Sequence, residues 1–117
     1  MVTGGAGPDE FSLSEVRSGA LRVFYNDNTN NRTGTADYLR VADFNRSEDE
    51  LRFGGGRYFS RNNGSDTWIW YDRNNNGALN TTNNQSSSDE LIAVLSGVNL
   101  GSATLTSSST PSWAVFG

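Results

Sequence analysis

The chain has 117 residues and a net charge of −4, from 13 acidic and 9 basic side chains. This length indicates a single domain spanning residues 1–117, and the negative charge argues against nucleic acid as a partner. Cysteine, histidine and lysine are absent, which removes disulfides, thiolate metal sites and the commonest general bases, so we expect no enzyme activity. No apolar run approaches the ~20 residues of a membrane span, so we expect no membrane insertion.

Short apolar segments alternate with clusters of Asn, Gly, Asp and Ser, which is typical of β-strands joined by turns. Two of these segments also show the two-residue alternation of a strand with distinct faces. We therefore predict an all-β domain, a short-stranded β-sandwich or β-roll-like fold. In chain order the predicted strands are residues 11–13, 21–25, 38–44, 51–53, 67–71, 91–95, 103–105 and 112–116.

Two segments are also compatible with helix. Residues 12–20 could pass for a helix, and residues 47–50 could form one helical turn with Ser47 as the N-cap. The acidic pairs at residues 49–50 and 89–90 are most simply interpreted as solvated starts of strands.

Residues 4–11 contain a glycine-rich motif with the order G-G-x-G-x-D-x-(apolar). Glycines allow a tight turn that aims main-chain carbonyl oxygens inward, and Asp9 adds a charged oxygen. Calcium prefers such oxygen donors, so the motif is typical of a calcium-binding turn. Phe11 supplies an apolar side chain to the strand that follows.

Two later segments extend this pattern. Residues 37–53 run from Asp37 through Asp43 and Phe44 to a final apolar pair, and residues 89–98 have the sequence DELIAVLSGV. Together with the glycine-rich motif, and in this order, they resemble the repeats-in-toxin (RTX, haemolysin-type) calcium-binding family. The DELIAVLSGV segment is similar to the ending of RTX-type proteins of cyanobacteria.

The resemblance implies a Ca²⁺-binding protein that is secreted or displayed on the cell surface and exported without a cleaved N-terminal signal peptide. In the parallel β-roll of this family, each calcium ion is shared between consecutive glycine-rich turns, whereas this chain has one such turn. The other half of the site would come from elsewhere in the chain, from upstream repeats outside this sequence, or from a neighbouring copy.

The first candidate ligands are the main-chain carbonyls of Gly5 and Gly7 and the carboxylate of Asp9. By resemblance, Asp37 and Asp43 come next, because carboxylates of this closing segment lie near the last turns of the roll in calcium-binding relatives. The alternative is that these two are ordinary aspartates at a turn and at a strand end.

A second candidate loop begins at Asp72. The sequence DRNNNG matches the opening of an EF-hand-like loop and offers side-chain oxygens from Asp72, Asn74 and Asn76. The last ligand position of such a loop falls on Asn83 rather than on glutamate, and strands are expected on both sides. An Asn-rich hairpin is therefore the favoured interpretation.

Aromatic residues form two further candidate features. Alternation places Trp68 and Trp70 on one side of their predicted strand and Tyr71 on the other, which favours a place in the core or at an interface over a sugar-stacking platform. Residues 113–116 are predicted to form a closing strand or an assembly contact, in the region where an export signal would lie.

These observations support three hypotheses. The first is an extracellular calcium-binding structural module that self-associates, for example into a surface layer or filament. The second is a calcium-dependent carbohydrate-binding or adhesion module whose partner is a cell-surface glycan. The third is the C-terminal cap and export signal of a larger RTX protein.

Overall fold

The computed structural model of the protein describes residues 3–24, 38–72, 77, 79 and 89–116, and these residues contain no helix. The predicted all-β class is confirmed. The strands form three sheets. They are β1 (Glu10–Ser12), β2 (Ser14–Arg17), β3 (Ala20–Val23), β4 (Leu39–Val41), β5 (Glu50–Phe53), β6 (Tyr58–Asn63), β7 (Asp66–Tyr71), β8 (Glu90–Leu95), β9 (Ala103–Leu105) and β10 (Ala114–Phe116).

The largest sheet has five strands in the order β4-β8-β7-β6-β9. Only the β4–β8 pair is parallel, and a bulge interrupts the pairing of β7 with β8 between Ile69 and Trp70. Strand β8 is buried along its whole length, because apolar side chains pack on both faces of the sheet. This sheet carries most of the aromatic residues discussed below.

A second sheet brings distant parts of the chain together. Strand β5 lies in its centre, with β1 on one side and β10 on the other, and both pairs are parallel. Leu51 is therefore the partner of both Phe11 and Ala114. The last segment is a closing strand, as one of the two interpretations predicted, and Trp113 before it is buried.

The third sheet is the β2–β3 hairpin, so the helix considered for residues 12–20 is wrong. Ser18 and Gly19 form the turn with φ angles of 53° and 79°, and two successive positive φ angles suit a two-residue hairpin loop. The loop places Val16 opposite Leu21, and both side chains are exposed. Leu13, Val16 and Ala20 have a spacing that a helix also allows, but the Ser18–Gly19 turn and the pairing of β2 with β3 form a hairpin instead.

The main core contains side chains from both larger sheets. Phe53 stacks on Phe116 and packs against Tyr58, with ring centroids 5.0 and 4.3 Å apart. A smaller cluster lies on the opposite face of the five-stranded sheet. The main core contains Leu13, Val41, Phe44, Leu51, Phe53, Tyr58, Ile69, Ile92, Ala93, Leu95, Leu100, Leu105, Trp113 and Ala114, and the smaller cluster contains Phe59, Trp70, Leu91 and Val94.

Candidate functional site

The glycine turn (residues 4–9) is held in place by Asp43. The main-chain N–H groups of Gly4 and Gly5 donate to the two carboxylate oxygens of Asp43, each over 2.9 Å. These two hydrogen bonds lower the pKa of Asp43 below its ordinary value, because they stabilise the charged carboxylate. Asp43 is thus close to the predicted site, where it anchors the start of the turn.

The other end of the turn is held by Asp49, which sequence reasoning missed. Its Oδ1 accepts from the N–H of Asp9 over 2.9 Å, and its Oδ2 accepts from the N–H of Asn45 over 2.8 Å. The side chain is only 3% exposed, so the interpretation of Asp49 as a solvated strand start is wrong. A buried carboxylate is tolerated here because both of its oxygens accept main-chain hydrogen bonds.

One helical turn positions Asp49. The carbonyl of Asn45 accepts from the N–H of Glu48 over 3.0 Å and from that of Asp49 over 2.7 Å. The predicted turn is therefore present, but its cap is Asn45 rather than Ser47. The Asn45 side-chain oxygen accepts from both the N–H and the hydroxyl of Ser47.

Asp9 has the most informative side chain of the turn. Its Oδ2 is buried and has no hydrogen-bond partner in the described part of the chain. The carboxylate is folded back onto Gly4, where an added Cβ would lie 2.4 Å from Asp9 Oδ2. A buried carboxylate oxygen without a partner costs stability, because it has lost water and gained no donor or cation.

The backbone of the turn uses the conformational freedom of its glycines. Gly5 and Gly7 have φ angles of 81° and 87°, in the left-handed region that glycine adopts at little cost. Among the described residues, no group of three or more Asp, Glu, His or Cys side chains is arranged to hold a metal ion.

Asp72 belongs to a different part of the molecule. It follows β7 in the five-stranded sheet, is 2% exposed, and its Oδ2 accepts from Arg57 Nη1 over 3.0 Å and from the N–H of Gly77 over 2.9 Å. The Asp72 carboxylate is therefore engaged in an ion pair with the half-buried Arg57. The other candidates, Asp37, Asn74 and Asn76, lie outside the described residues.

The acidic pair at the start of β8, Asp89 and Glu90, is buried rather than solvated. Asp89 and Glu90 are both 0% exposed, so their interpretation as solvated residues is wrong. Glu90 is the strand partner of Tyr71, and burial raises the pKa of the Tyr71 hydroxyl. Asp89 and Glu90 are buried because they lie at the start of β8, the strand that is covered on both faces.

The aromatic run of β7 divides between two faces, as alternation predicts. Tyr71 packs against Tyr58, with centroids 5.4 Å apart, on the side of the main core. Trp70 is 6% exposed on the other face, which confirms its predicted place in a core. Trp68, beside it, is half-buried. Both tryptophans border a pocket of about 290 Å³ lined by Arg61, Asn62, Asn63, Trp68, Trp70 and Leu79.

Comparison of the chain with family models, with curated proteins and with solved structures finds no match. The resemblance to the RTX family thus remains a prediction from the three sequence segments. Over the described ranges, the structure has no helix long and apolar enough to cross a membrane.

Proposed function

We propose that the protein is an extracellular calcium-binding structural module whose glycine turn binds Ca²⁺ through Asp9 and main-chain oxygens. The observation that carries this proposal is the buried Oδ2 of Asp9, which has no partner among the described residues. A bound cation supplies the counter-charge that this oxygen lacks. The extracellular location follows from the RTX-like segments and from the millimolar calcium that weak extracellular sites require.

The clamped geometry of the turn supports the same proposal. Asp43 holds Gly4 and Gly5, and Asp49 holds Asp9, all by main-chain hydrogen bonds of 2.9 Å. A turn that is already ordered does not have to be immobilised when the ligand binds, so more of the interaction energy remains as affinity. The negative charge of the two anchoring carboxylates also favours a divalent cation nearby.

The second part of the proposal is self-association. The sequence has one glycine turn, whereas a calcium ion of the RTX β-roll is shared between two such turns. The turn leads directly into β1, which is an edge strand of the parallel sheet. An edge strand presents main-chain groups that a second chain can pair with. A neighbouring copy aligned at this edge would bring a second glycine turn to the first and complete the coordination of a shared calcium ion.

The calcium proposal is tested by Asp9→Asn. In the wild type, calcium raises the melting temperature, because it binds the folded state and not the unfolded state. In Asp9→Asn this increase is lost, since the charged ligand is gone. Without calcium, the variant is as stable as the wild type or more stable, because it no longer buries a charged oxygen without a partner. Thermal unfolding in EGTA and in millimolar calcium measures both effects.

The matched control is Asp66→Asn. Asp66 also accepts a main-chain hydrogen bond, from the N–H of Gly97 over 2.8 Å, but it lies in the β6–β7 hairpin region. This variant keeps the full calcium effect. Equal stabilisation of the wild type and Asp9→Asn by calcium would show that the ion binds elsewhere and would contradict the proposal.

A further inference from the structure

The pocket beside Trp68 lies on the face of the five-stranded sheet opposite the main core. The β6–β7 register sets Arg61 directly opposite Trp68 and Phe59 opposite Trp70. Directly opposed residues point to the same side of a sheet, so two indole rings and one guanidinium share this face. Leu79 packs against the same cluster.

The tryptophans provide the apolar part of the pocket. Their ring centroids are 6.0 Å apart, and their planes are tilted by 39°. Trp70 is 6% exposed, whereas Trp68 keeps more of its ring accessible.

Arg61 and Asn63 are the polar side chains on the pocket face of β6. Arg61 Nη1 donates to the carbonyl of Ser60 over 2.7 Å, and its guanidinium lies 5.5 Å from the centroid of Phe59. Alternation along β6 turns the Asn62 side chain to the other face of the sheet, where its oxygen accepts from the N–H of Gly101 over 3.2 Å. Asn63 is exposed at the end of β6 and offers both a donor and an acceptor.

We propose that this pocket binds one unit of a neutral carbohydrate. A sugar ring has an apolar face of C–H groups that packs on indole and a rim of hydroxyls that can accept from Arg61 and both donate to and accept from Asn63. The pocket volume of about 290 Å³ is at the lower end of the ~300–1,000 Å³ range of ligand pockets, which suits a small ligand. The net charge of −4 disfavours a polyanion.

This site is separate from the glycine turn. None of the residues that line it takes part in the hydrogen bonds of Asp9, Asp43 or Asp49. Carbohydrate binding therefore does not require calcium as a bridging ion. This differs from the calcium-dependent carbohydrate module that the sequence suggested, and it makes the two proposals independent of each other.

The test is a titration of the full chain with a panel of neutral mono- and oligosaccharides in EGTA, followed by tryptophan fluorescence. A ligand at the pocket changes the emission of the wild type. The variant Trp68→Ala binds the same sugar at least about tenfold more weakly, as expected for the loss of one stacked ring. The control Tyr38→Ala removes an exposed ring outside the pocket and leaves the affinity unchanged.

A second variant avoids any effect on folding. Asn63 is exposed, so Asn63→Ala keeps the melting temperature of the wild type while it weakens sugar binding severalfold. The proposal is overturned if no sugar of the panel changes the emission or if Asn63→Ala and Trp68→Ala both bind as the wild type does. Tighter binding of a single-stranded oligonucleotide than of any sugar would also overturn it. Because the titration is done in EGTA, its outcome does not depend on the calcium proposal.

Discussion

Carboxylates in this protein have roles that their exposure alone does not reveal. Asp43 is exposed and yet binds two main-chain N–H groups, whereas Asp49 is buried and binds two as well. Both hold the glycine turn against the segment that carries them. Asp9 differs from both, because its Oδ2 is buried without such a donor. Among these three, Asp9 is therefore the side chain with the greatest need of a cation.

The lowered pKa of Asp43 predicts how stability depends on pH. Hydrogen bonds from Gly4 and Gly5 stabilise the charged form and bring the pKa below its ordinary value of 3.8. A carboxylate with a lower pKa in the folded state stabilises the protein at pH values above 3.8, and this contribution is lost as the pH falls through the folded-state pKa.

We expect Asp43→Asn to melt below the wild type at neutral pH, with a difference that shrinks as the pH falls below about 4. Melting temperatures measured from neutral to acidic pH give the two curves. The control is Glu48→Gln, because Glu48 is exposed and its carboxylate accepts no hydrogen bond within the described residues. A constant difference between wild type and Asp43→Asn at all pH values would contradict the prediction.

Close packing between strands leaves no space for a side chain at Gly54. After β5, Gly54 lies against the backbone of β2. A Cβ at position 54 would approach the Cα and carbonyl carbon of Glu15 to 2.4 Å. Backbone atoms cannot move aside as the end of a flexible side chain can. The N–H of Gly54 also donates to Ser14 Oγ over 2.9 Å, which fixes this approach.

Gly54→Ala is therefore expected to lower the free energy of unfolding by about 1–3 kcal/mol, as overpacking does. The neighbouring Gly55→Ala is a matched control, because a Cβ there would meet its nearest atom only at 3.8 Å. Urea unfolding of both variants measures the difference. Equal stability of the two variants would show that β2 is not packed on this part of the chain.

The edges of the sheets determine how whole molecules can associate. Strand β1 lies at one edge of the parallel sheet, next to the glycine turn, and β10 lies at the other. If calcium joins two glycine turns, association and calcium binding are linked. The wild type is then expected to sediment as larger species in millimolar calcium and as a smaller species in EGTA.

Asp9→Asn is expected to remain the smaller species in both conditions, because it lacks the charged ligand of the turn. Sedimentation velocity on the two proteins, with and without calcium, measures this. A wild type that stays monomeric while calorimetry shows bound calcium would rule out assembly through the turn. That result would leave the calcium site itself intact.

The all-β class was predictable from the sequence, because apolar alternation and turn residues are local signals. Strand β6 was missed. Its first residues are apolar, but Arg61, Asn62 and Asn63 have the composition of a turn. These residues extend the strand because β7 pairs with it along its whole length and β9 pairs with its first half. Pairing partners distant in sequence thus outweighed local propensity.

A tight turn at the glycines was predicted from the sequence, but the side chains that anchor it were predicted only in part. Asp43 was a candidate ligand, and the structure shows that it binds the turn through main-chain N–H groups. Asp49 was missed, because its partner Asp9 is 40 positions away in the chain. The sequence favoured a core or interface role for the tryptophans, and it could not show that the β6–β7 register sets Arg61 opposite Trp68 at a pocket that Asn63 also lines.

The sequence by itself determined the strand class, the tight turn at the glycines, and the opposite faces of Trp70 and Tyr71. Each of these depends on the conformational preferences or periodicity of a few neighbouring residues. Only the tertiary structure decided which carboxylates are buried, which N–H groups they bind and where a pocket is left open. Those features depend on strand pairing between distant segments, which determines the hydrogen-bond donors and the packing around each side chain.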